Sequence, residues 1–311
     1  MSLVAVGTVA IDAIETPFGK VDKISGGSGH YIAWTASNFT KEVKVVAVVG
    51  GDFPMEEIAQ LKERGVDFEG LQIKENEKSF FWAGKYHMDM NSRDTLVTDL
   101  NVLAEFDPIL PQSYKSPDFV LLGNLTPAVQ QRLLDQLENK PKLIALDTMN
   151  YWIQDPQFRP ALDKVLTQID VLIINDEEAR MLGNHHSVVK CARKILAEMG
   201  PKFVIVKKGE HGALLFHKDH IFFAPALPLE EVFDPTGAGD TFAGGFMGYL
   251  DMTQDVSFEN MKRAIIYGSA MASFCVEKFG PKRLMELSIP EIKQRVQDFI
   301  DLVQFDIEVK N

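Results

Sequence analysis

The chain carries one stretch that indicates both its fold and its chemistry: Asp234-Pro235-Thr236-Gly237-Ala238-Gly239-Asp240-Thr241-Phe242-Ala243-Gly244-Gly245-Phe246. Its small residues precede an apolar helical run, so a ligand can approach the backbone closely there. The N–H groups at the start of a helix attract an anion, and the helix dipole stabilises a carboxylate in the first turn. Asp240 occupies that turn, where it can accept the proton of a hydroxyl group that attacks a bound phosphate. A glycine-rich turn capped by Asp240 is the alternative interpretation.

On either side of this stretch, short apolar runs alternate with amphipathic runs. The apolar runs predict buried strands at residues 3–6, 43–49, 119–122, 143–146, 171–174 and 203–206. Apolar residues at helical spacing predict helices at residues 56–64, 127–138, 160–168, 187–199, 240–250, 258–277 and 290–303. Such interleaving is typical of an α/β fold with a mostly parallel sheet that is covered on both faces. A hairpin that turns at Lys218-Asp219 is expected near the sheet edge.

Residues 13–25 and 78–98 depart from this alternation and resemble paired strands. We interpret them as a small sheet that projects from the main body as a lid; an edge hairpin packed on the core is the alternative. The aromatic residues in and near it are candidates to stack on a substrate, to join two lids, or to fill the core of the lid: Phe80, Phe81, Trp82, Tyr86 and Trp34. Since no linker rich in Pro, Ser or Gly divides the chain, residues 1–311 are expected to form a single domain.

The composition restricts the partners and the compartment. A formal net charge of −12 argues against general nucleic-acid binding and against docking on an anionic membrane. Neither a long uncharged apolar run nor a signal peptide is evident, because the first residues resemble a strand. The two cysteines, Cys191 and Cys275, are expected to be reduced and buried, as is usual in the cytoplasm.

Every position from Asp234 to Phe246 fits the second signature of the ribokinase-like PfkB family of carbohydrate and nucleoside kinases. The resemblance continues in order along nearly the whole chain, through Gly7–Asp12, Gly26–Gly29, Gly50–Asp52, Asn175–Glu178 and Val206–Gly212. It implies a ribokinase-like three-layer sandwich and an ATP-dependent kinase that phosphorylates a hydroxyl group of a small sugar. A nucleoside kinase of the adenosine type, and a ligand-binding protein without catalysis, are the alternatives. Neither a P-loop nor a dinucleotide-binding Gly-x-Gly-x-x-Gly after a strand is present.

The resemblance also implies roles at the nucleotide end. Asp240 would be the base, and the backbone N–H groups of Gly237, Ala238, Gly239 and Asp240 would stabilise the transferring γ-phosphoryl group. Asn175 and Glu178 would hold Mg²⁺, with Glu178 acting through water. The residues expected along ATP are Lys207, Gly209 and Gly212. A solvated lysine at the end of a strand is the alternative for Lys207.

At the acceptor end, the resemblance implies substrate contacts from Asp12, Gly26, Gly27, Tyr31, Asn124 and Asp240. Asp12 is expected at the end of the first parallel strand, and Asp147 after a later strand. Tyr31 stands where the family usually has asparagine, and no arginine follows Asp147, so the acceptor pocket is expected to differ from that of ribokinase. A monovalent cation such as K⁺ near Asp234 is common in the family and stays open here. Exposed lid edges favour a homodimer through the lid.

Overall fold

The computed structural model describes residues 2–304, in which thirteen strands form two sheets. The strands are β1 (Leu3–Val6), β2 (Ala10–Thr16), β3 (Gly19–Gly26), β4 (Val43–Gly50), β5 (Asp67–Lys74), β6 (Phe80–Tyr86), β7 (Arg93–Asp99), β8 (Phe119–Leu122), β9 (Leu143–Asp147), β10 (Val171–Asn175), β11 (Phe203–Lys207), β12 (Ala213–His217) and β13 (His220–Ala224). The helices are α1 (Ser28–Ala36), α2 (Met55–Glu63), α3 (Pro127–Leu134), α4 (Asn150–Gln154), α5 (Arg159–Leu166), α6 (Asp176–Gly183), α7 (Val188–Glu198), α8 (Ala238–Thr253), α9 (Phe258–Cys275), α10 (Lys282–Glu286) and α11 (Ile289–Val303). Short 3₁₀ turns lie at Asn101–Leu103, Gln112–Tyr114 and Gly209–His211.

The larger sheet has the order β13-β12-β11-β10-β9-β8-β1-β4-β5 among the described residues. The strands from β5 to β11 are parallel, and β12 and β13 are antiparallel at one edge. Alternate residues of β1 enter two separate cores: Leu3 and Ala5 pack with α1, α8 and α9, whereas Val4 and Val6 pack with α3, α5 and α7. A sheet buried on both faces needs strands that are apolar throughout, as these are. The predicted three-layer α/β sandwich is confirmed.

The smaller sheet has the order β3-β2-β6-β7. Strands β2 and β6 are parallel, and the two outer pairs are antiparallel. The segments predicted at residues 13–25 and 78–98 both lie in it, but the first strand begins earlier, at Ala10. The expected position of Asp12 is therefore wrong. The first parallel strand ends at Val6, and Asp12 lies in the middle of β2 because the chain leaves the larger sheet after Gly7.

The end of β4 is joined to the start of β6 by the Gly50–Asp52 motif. Ser79 Oγ accepts a hydrogen bond from Gly50 N at 3.0 Å, and Ser79 N donates to Asp52 Oδ1 at 2.7 Å. A Cβ on Gly50 would lie 2.3 Å from the carbonyl oxygen of Glu77, so only glycine allows this approach. The motif ties the smaller sheet to the larger one. Among the described residues, no helix has the length and apolarity needed to cross a bilayer.

A buried polar group joins the other side of the smaller sheet to α1 and α2. His30 on α1 is buried, and its Nε2 lies 3.0 Å from Glu57 Oε2 on α2. The same carboxylate oxygen accepts a hydrogen bond from Ser25 at the end of β3, and Trp34 Nε1 donates to the His30 ring. Burial opposes ionisation of Glu57, but its hydrogen bonds with His30 and Ser25 and the nearby positive charges together outweigh burial and hold the pKa of Glu57 below its usual value. Trp34 and His30 therefore support the base of the smaller sheet.

We expect Glu57→Gln to lower the free energy of unfolding by about 1–3 kcal/mol, because it removes the charged partner of a buried hydrogen-bonded group. Since the folded-state pKa of Glu57 is depressed, the contribution is present above the normal titration range of glutamate and disappears as the pH falls through the folded-state value. Urea unfolding at several pH values measures both effects. The neighbouring exposed Glu56→Gln is the control and should change little; equal losses in the two variants would contradict the role of Glu57.

Candidate active site

Charged side chains meet where the parallel strands end. Asp147 is the last residue of β9, and Lys207 is the last residue of β11. Lys207 Nζ and Asp147 Oδ2 are 2.9 Å apart, and both side chains are largely buried. A Cβ on Gly239 would lie 2.9 Å from Lys207 Nζ, so the ammonium group rests against the first turn of α8. Lys207 is therefore not a solvated lysine; it is placed beside the proposed phosphate-binding turn.

The first turn of α8 depends on two close contacts. Gly237, the N-cap, has φ +75°, and a Cβ there would lie 2.3 Å from the Tyr31 ring. Tyr31 is thus packed beneath the turn, and its buried hydroxyl group has no hydrogen-bond partner among residues 2–304. Ala238 N donates to the carbonyl oxygen of Pro235 at 3.2 Å, so this N–H group is engaged within the turn.

Asn175 and Glu178 form a reciprocal cap at the start of α6. Glu178 N donates to Asn175 Oδ1, and Asn175 N donates to Glu178 Oε2, each at 2.8 Å. Burial, and next the charge of Asp147, raise the pKa of Glu178 to about 7, although Lys207 opposes the shift. The cap therefore fixes a carboxylate beside the Asp147–Lys207 pair. Carboxylate oxygen is the donor type that Mg²⁺ prefers, and because Mg²⁺ usually keeps several waters, Glu178 fits the water-mediated role expected of it.

Asp240 lies in the first turn of α8, between the charged groups of both sheets. Burial, and next the charge of Asp147, raise the pKa of Asp240 to about 7; the positive charges of Lys207 and Arg93 oppose this shift. A carboxylate with a pKa near the working pH is well suited to accept a proton from a hydroxyl group. The geometry and the charge balance therefore agree with a base at this position.

Asp12 faces the same region from β2 of the smaller sheet. A Cβ on Gly26 would lie 1.9 Å from Asp12 Oδ2, so the carboxylate packs directly on the glycine backbone. Burial, followed by the charges of Asp234 and Asp240, raises the pKa of Asp12 to about 8. Three carboxylates therefore lie close enough to repel one another, and a ligand that supplies hydrogen-bond donors would relieve that repulsion.

Asp234 and Gly27 fix the backbone conformation beside these carboxylates. Asp234 Oδ1 accepts from Thr236 N at 2.9 Å and Oδ2 accepts from Gly280 N at 2.8 Å, so both oxygens are bound within the protein. Gly27 has φ +91°, and its missing Cβ leaves room for the carbonyl oxygen of Thr8. Gly26 and Gly27 together join β3 to α1.

The remaining predicted residues lie around this group. Gly209 and Gly212, both with positive φ, form the turn after β11, and Lys208 N donates to the carbonyl oxygen of Gly212 at 2.8 Å. Asn124 follows β8 and is bound to the α4 region, accepting from Trp152 Nε1 at 2.9 Å and donating to Met149. The structure brings Asp12, Asp147, Glu178, Lys207 and Asp240 together, whereas the hydrogen bonds of Asn124 point to α4.

Comparisons with known proteins agree with this arrangement. The model of the pfkB family carbohydrate kinases matches residues 1–286. This chain belongs to the PfkB family. It is 32% identical to a cytidine kinase of Thermococcus kodakarensis over 253 residues. This aligned region covers 80% of this chain and 88% of that protein. It is 26% identical over 335 residues to a nucleoside kinase of Methanothermobacter thermautotrophicus, spanning 96% of this chain and 95% of that protein.

Solved structures show the same fold. An E. coli protein provisionally named Ribokinase II, in complex with ATP and Mg²⁺, superimposes with a TM-score of 0.79 at 20% identity, covering 95% of this chain and 99% of that one. The nucleoside kinase of Methanocaldococcus jannaschii gives a TM-score of 0.74 at 20% identity, covering 96% and 98%. The expected family, fold and class of activity are confirmed: the chain is a PfkB-family kinase, an ATP-dependent phosphotransferase.

Two residues of the smaller sheet that lie near the candidate site of this PfkB kinase were not predicted from the sequence. Tyr86, considered only as a lid aromatic, is buried and its hydroxyl group accepts a hydrogen bond from Thr236 Oγ1 at 3.1 Å. Arg93, not considered at all, lies opposite Tyr86 in the β6–β7 pair. The alternation of residues along a strand would have placed Trp82, Gly84 and Tyr86 on one face, but nothing in the sequence shows which face meets the active site.

Two glycines of the kinase motif offer a matched test of this packing. We expect Gly237→Ala to lower the free energy of unfolding by at least ~1 kcal/mol, because an L-residue is strained at positive φ and would collide with Tyr31. Gly239→Ala should cost less, because Gly239 is helical and a Cβ there would meet only the end of the Lys207 side chain. Thermal or urea unfolding measures both. A Gly239→Ala variant that is the less stable of the two would refute this account of the turn.

Proposed function

We propose that this PfkB kinase phosphorylates a hydroxyl group on the ribose of a nucleoside. The observation that carries the proposal is the placement of Asp12 and Trp82 side by side on the inner face of the smaller sheet, where they are paired in the β2–β6 register. A carboxylate can accept hydrogen bonds from two sugar hydroxyl groups, and an aromatic ring can stack on a flat base. A nucleoside offers ribose hydroxyl groups to Asp12 and a flat base to Trp82.

The backbone at Gly84 lets the indole ring of Trp82 lie flat on strand β6. A Cβ on Gly84 would lie 2.1 Å from Trp82 Cη2, so the indole packs against the bare strand two residues away. Phe81, on the other face of β6, packs against the main core instead. Of the lid aromatics, Trp82 is thus the one with the position and the flat orientation that stacking requires. The cytidine and nucleoside kinases among the relatives support this acceptor class.

A free sugar is the second candidate, because the carboxylate of Asp12 serves sugar hydroxyl groups without any base to stack. A ribokinase of Staphylococcus aureus is 30% identical over 137 residues, but it spans only 42% of this chain. A ligand-binding protein without catalysis is disfavoured by the intact group of Asp240, Lys207 and the α8 turn.

In the proposed reaction, Asp240 takes the proton of the acceptor hydroxyl group while its oxygen attacks the γ-phosphorus atom. The bond from phosphorus to the bridging oxygen breaks and ADP leaves. The N–H groups of Gly237, Gly239 and Asp240, together with Lys207, stabilise the negative charge of the transferring group. Gly209 and Gly212 would let the nucleotide approach the turn after β11. Glu178, near Asn175, would hold Mg²⁺ through water, and the ion would supply charge neutralisation at the phosphates.

The working unit is proposed to be a single kinase domain over residues 1–311, with the smaller sheet as its lid. Closure of the lid would exclude water and so protect ATP from hydrolysis. We also propose that Gly26, Gly27, Tyr31 and Asn124 shape the acceptor pocket, that a monovalent cation binds near Asp234, and that two copies pair through the lid. The two buried free cysteines agree with a reducing cytoplasm.

We expect Asp240→Asn to lower kcat by at least ~10²-fold, since it removes the general base. Binding of ADP, measured by calorimetry, should stay near that of the wild type and serves as the control for folding. In the wild type, kcat/KM should rise as the pH increases through about 7, because Asp240 must lose its proton to act. A variant that keeps near-normal turnover would exclude Asp240 as the base.

The acceptor is tested with a panel of cytidine, adenosine, inosine and free ribose, with ADP formation as the readout. We expect turnover with a nucleoside, and Trp82→Ala should raise KM for it about tenfold or more, since base–aromatic stacking contributes ~1–3 kcal/mol. KM for any sugar substrate should change little. Phe18→Ala removes an exposed aromatic residue at the β2–β3 turn and is the control. Turnover with ribose but not with nucleosides would overturn the proposed acceptor.

A further inference from the structure

The segment that follows β9 carries a group of aromatic side chains beside the candidate site. Tyr151 and Trp152 lie on α4, and Phe158 lies just before α5. The Trp152 ring meets Phe158 edge-on, with 4.7 Å between ring centres, and meets Tyr151 at 5.1 Å. Its indole N–H donates to Asn124 Oδ1 at 2.9 Å. The aromatic packing therefore holds the indole in one orientation, with its N–H directed at Asn124.

The segment itself is anchored at both ends. It begins after Asp147, whose carboxylate pairs with Lys207 at 2.9 Å. Further along, Ile153 on α4 is buried in the core that also contains residues of α3, α5 and α7. Because the backbone on either side of Trp152 is held in this way, the indole is attached to a fixed support and can orient another side chain.

Asn124 lies near the proposed acceptor contacts. It follows Gly123, and a Cβ on Gly123 would lie 3.0 Å from Ser28 Oγ, so the end of β8 packs against the start of α1. Ser28 comes just after Gly26, on whose backbone Asp12 packs. The half-buried amide of Asn124 is therefore close to the glycine turn that supports the proposed acceptor carboxylate.

The indole decides which end of the Asn124 amide is free. An indole N–H can only donate, so the carbonyl oxygen of the amide must face Trp152. The Nδ2 group then presents its N–H donors elsewhere. One of them meets Met149 Sδ at 3.3 Å, and a thioether is a weak acceptor that an oxygen atom of a ligand can replace. The other has no partner among residues 2–304.

A donor at this place complements the carboxylates of the site. In their ionised forms, Asp12 and Asp240 only accept hydrogen bonds, so they bind hydroxyl groups through the hydrogen atoms. An amide N–H instead binds a lone pair on an oxygen or nitrogen atom. A site with both kinds of group distinguishes acceptors by the arrangement of their donors and lone pairs, which carboxylates alone cannot do.

We propose that Trp152 is a positioning residue that holds the Asn124 amide so that its N–H groups donate to a lone pair of the acceptor. Helix α4 would thereby contribute to the selection of the acceptor. The inference rests on the proposed kinase reaction but not on a nucleoside as the acceptor, because a carbonyl oxygen or ring nitrogen of a base and a hydroxyl oxygen of a sugar all offer lone pairs.

Trp152→Phe tests the role, because it keeps an aromatic ring in the cluster and removes the N–H group. We expect KM for the acceptor to rise about three- to tenfold, the scale of one lost hydrogen bond, and KM for ATP to stay within about twofold. A loss with cytidine but not with free ribose would place the lone pair on the base, and equal losses would place it on the sugar. Tyr151→Phe, which removes an exposed hydroxyl group from the same cluster, is the matched control.

A double-mutant cycle separates positioning from general damage. If Trp152 acts through Asn124, the variant that combines Trp152→Phe with Asn124→Ala should bind the acceptor no worse than Asn124→Ala alone. The slow hydrolysis of ATP, with water as the acceptor, should keep its rate in all these variants, because neither residue is proposed to act on the phosphates. A disturbed fold would instead slow hydrolysis as well.

The acceptor that turns over in the panel is used for the cycle, and calorimetric Kd values for cytidine and ribose give the same cycle without turnover. Turnover with ribose alone, combined with non-additive losses in the cycle, would refute the nucleoside acceptor and support the role of Trp152. An unchanged KM and Kd in Trp152→Phe, additive losses in the double variant, or an equal slowing of ATP hydrolysis would overturn that role.

Discussion

The ion pair between Lys207 and Asp147 is the interaction around which the site is arranged. It joins the ends of β9 and β11 and places an ammonium group against the first turn of α8. Without that cation, Asp147, Glu178 and Asp240 would face one another in a largely buried space, where like charges disfavour ionisation. The pair therefore allows Asp240, the proposed base, to be buried near the proposed phosphate site while its pKa stays close to 7. Burial and repulsion raise that pKa, and the cations restrain the rise.

A second constraint is that two contacts in the site require glycine, because a Cβ would collide with the neighbouring side chain. Asp12 lies on the backbone of Gly26, and the Tyr31 ring lies on the backbone of Gly237. Each contact brings glycine backbone within van der Waals distance of a side chain on another element, so Asp12, the proposed acceptor carboxylate, and the proposed phosphate-binding turn are positioned by backbone packing. This explains why Tyr31 is compatible with the family motif although it is larger than asparagine: its ring fills the space beneath Gly237.

The sequence predicted the central sheet well because its strands are apolar throughout, and it predicted the long helices because they have one apolar face. It missed α1, β5 and α6 for physical reasons. Helix α1 is buried on all sides and rich in small residues, so it lacks an apolar stripe. Strand β5 lies at the sheet edge, half exposed and interrupted by charges. In α6 the acidic first turn hides the apolar residues that follow. The proposed site residues were located through family motifs and strand ends, whereas Arg93 belongs to neither and its position follows from the β6–β7 register.

The two sheets contribute different groups to the proposed active site. The larger sheet and α8 supply the groups that the proposed reaction requires for any acceptor: Asp240, the proposed phosphate-binding turn, Lys207 and Glu178. The smaller sheet supplies Asp12 and Trp82, the proposed acceptor contacts, and Arg93, whose positive charge opposes the rise in the pKa of Asp240. Because one inner face presents both proposed acceptor contacts, binding of the acceptor and exclusion of water would depend on the same position of the lid. Under the proposed function, an acceptor bound beside Asp12 and Trp82 would hold the lid over the first turn of α8, which links selection of the acceptor to the rate of transfer.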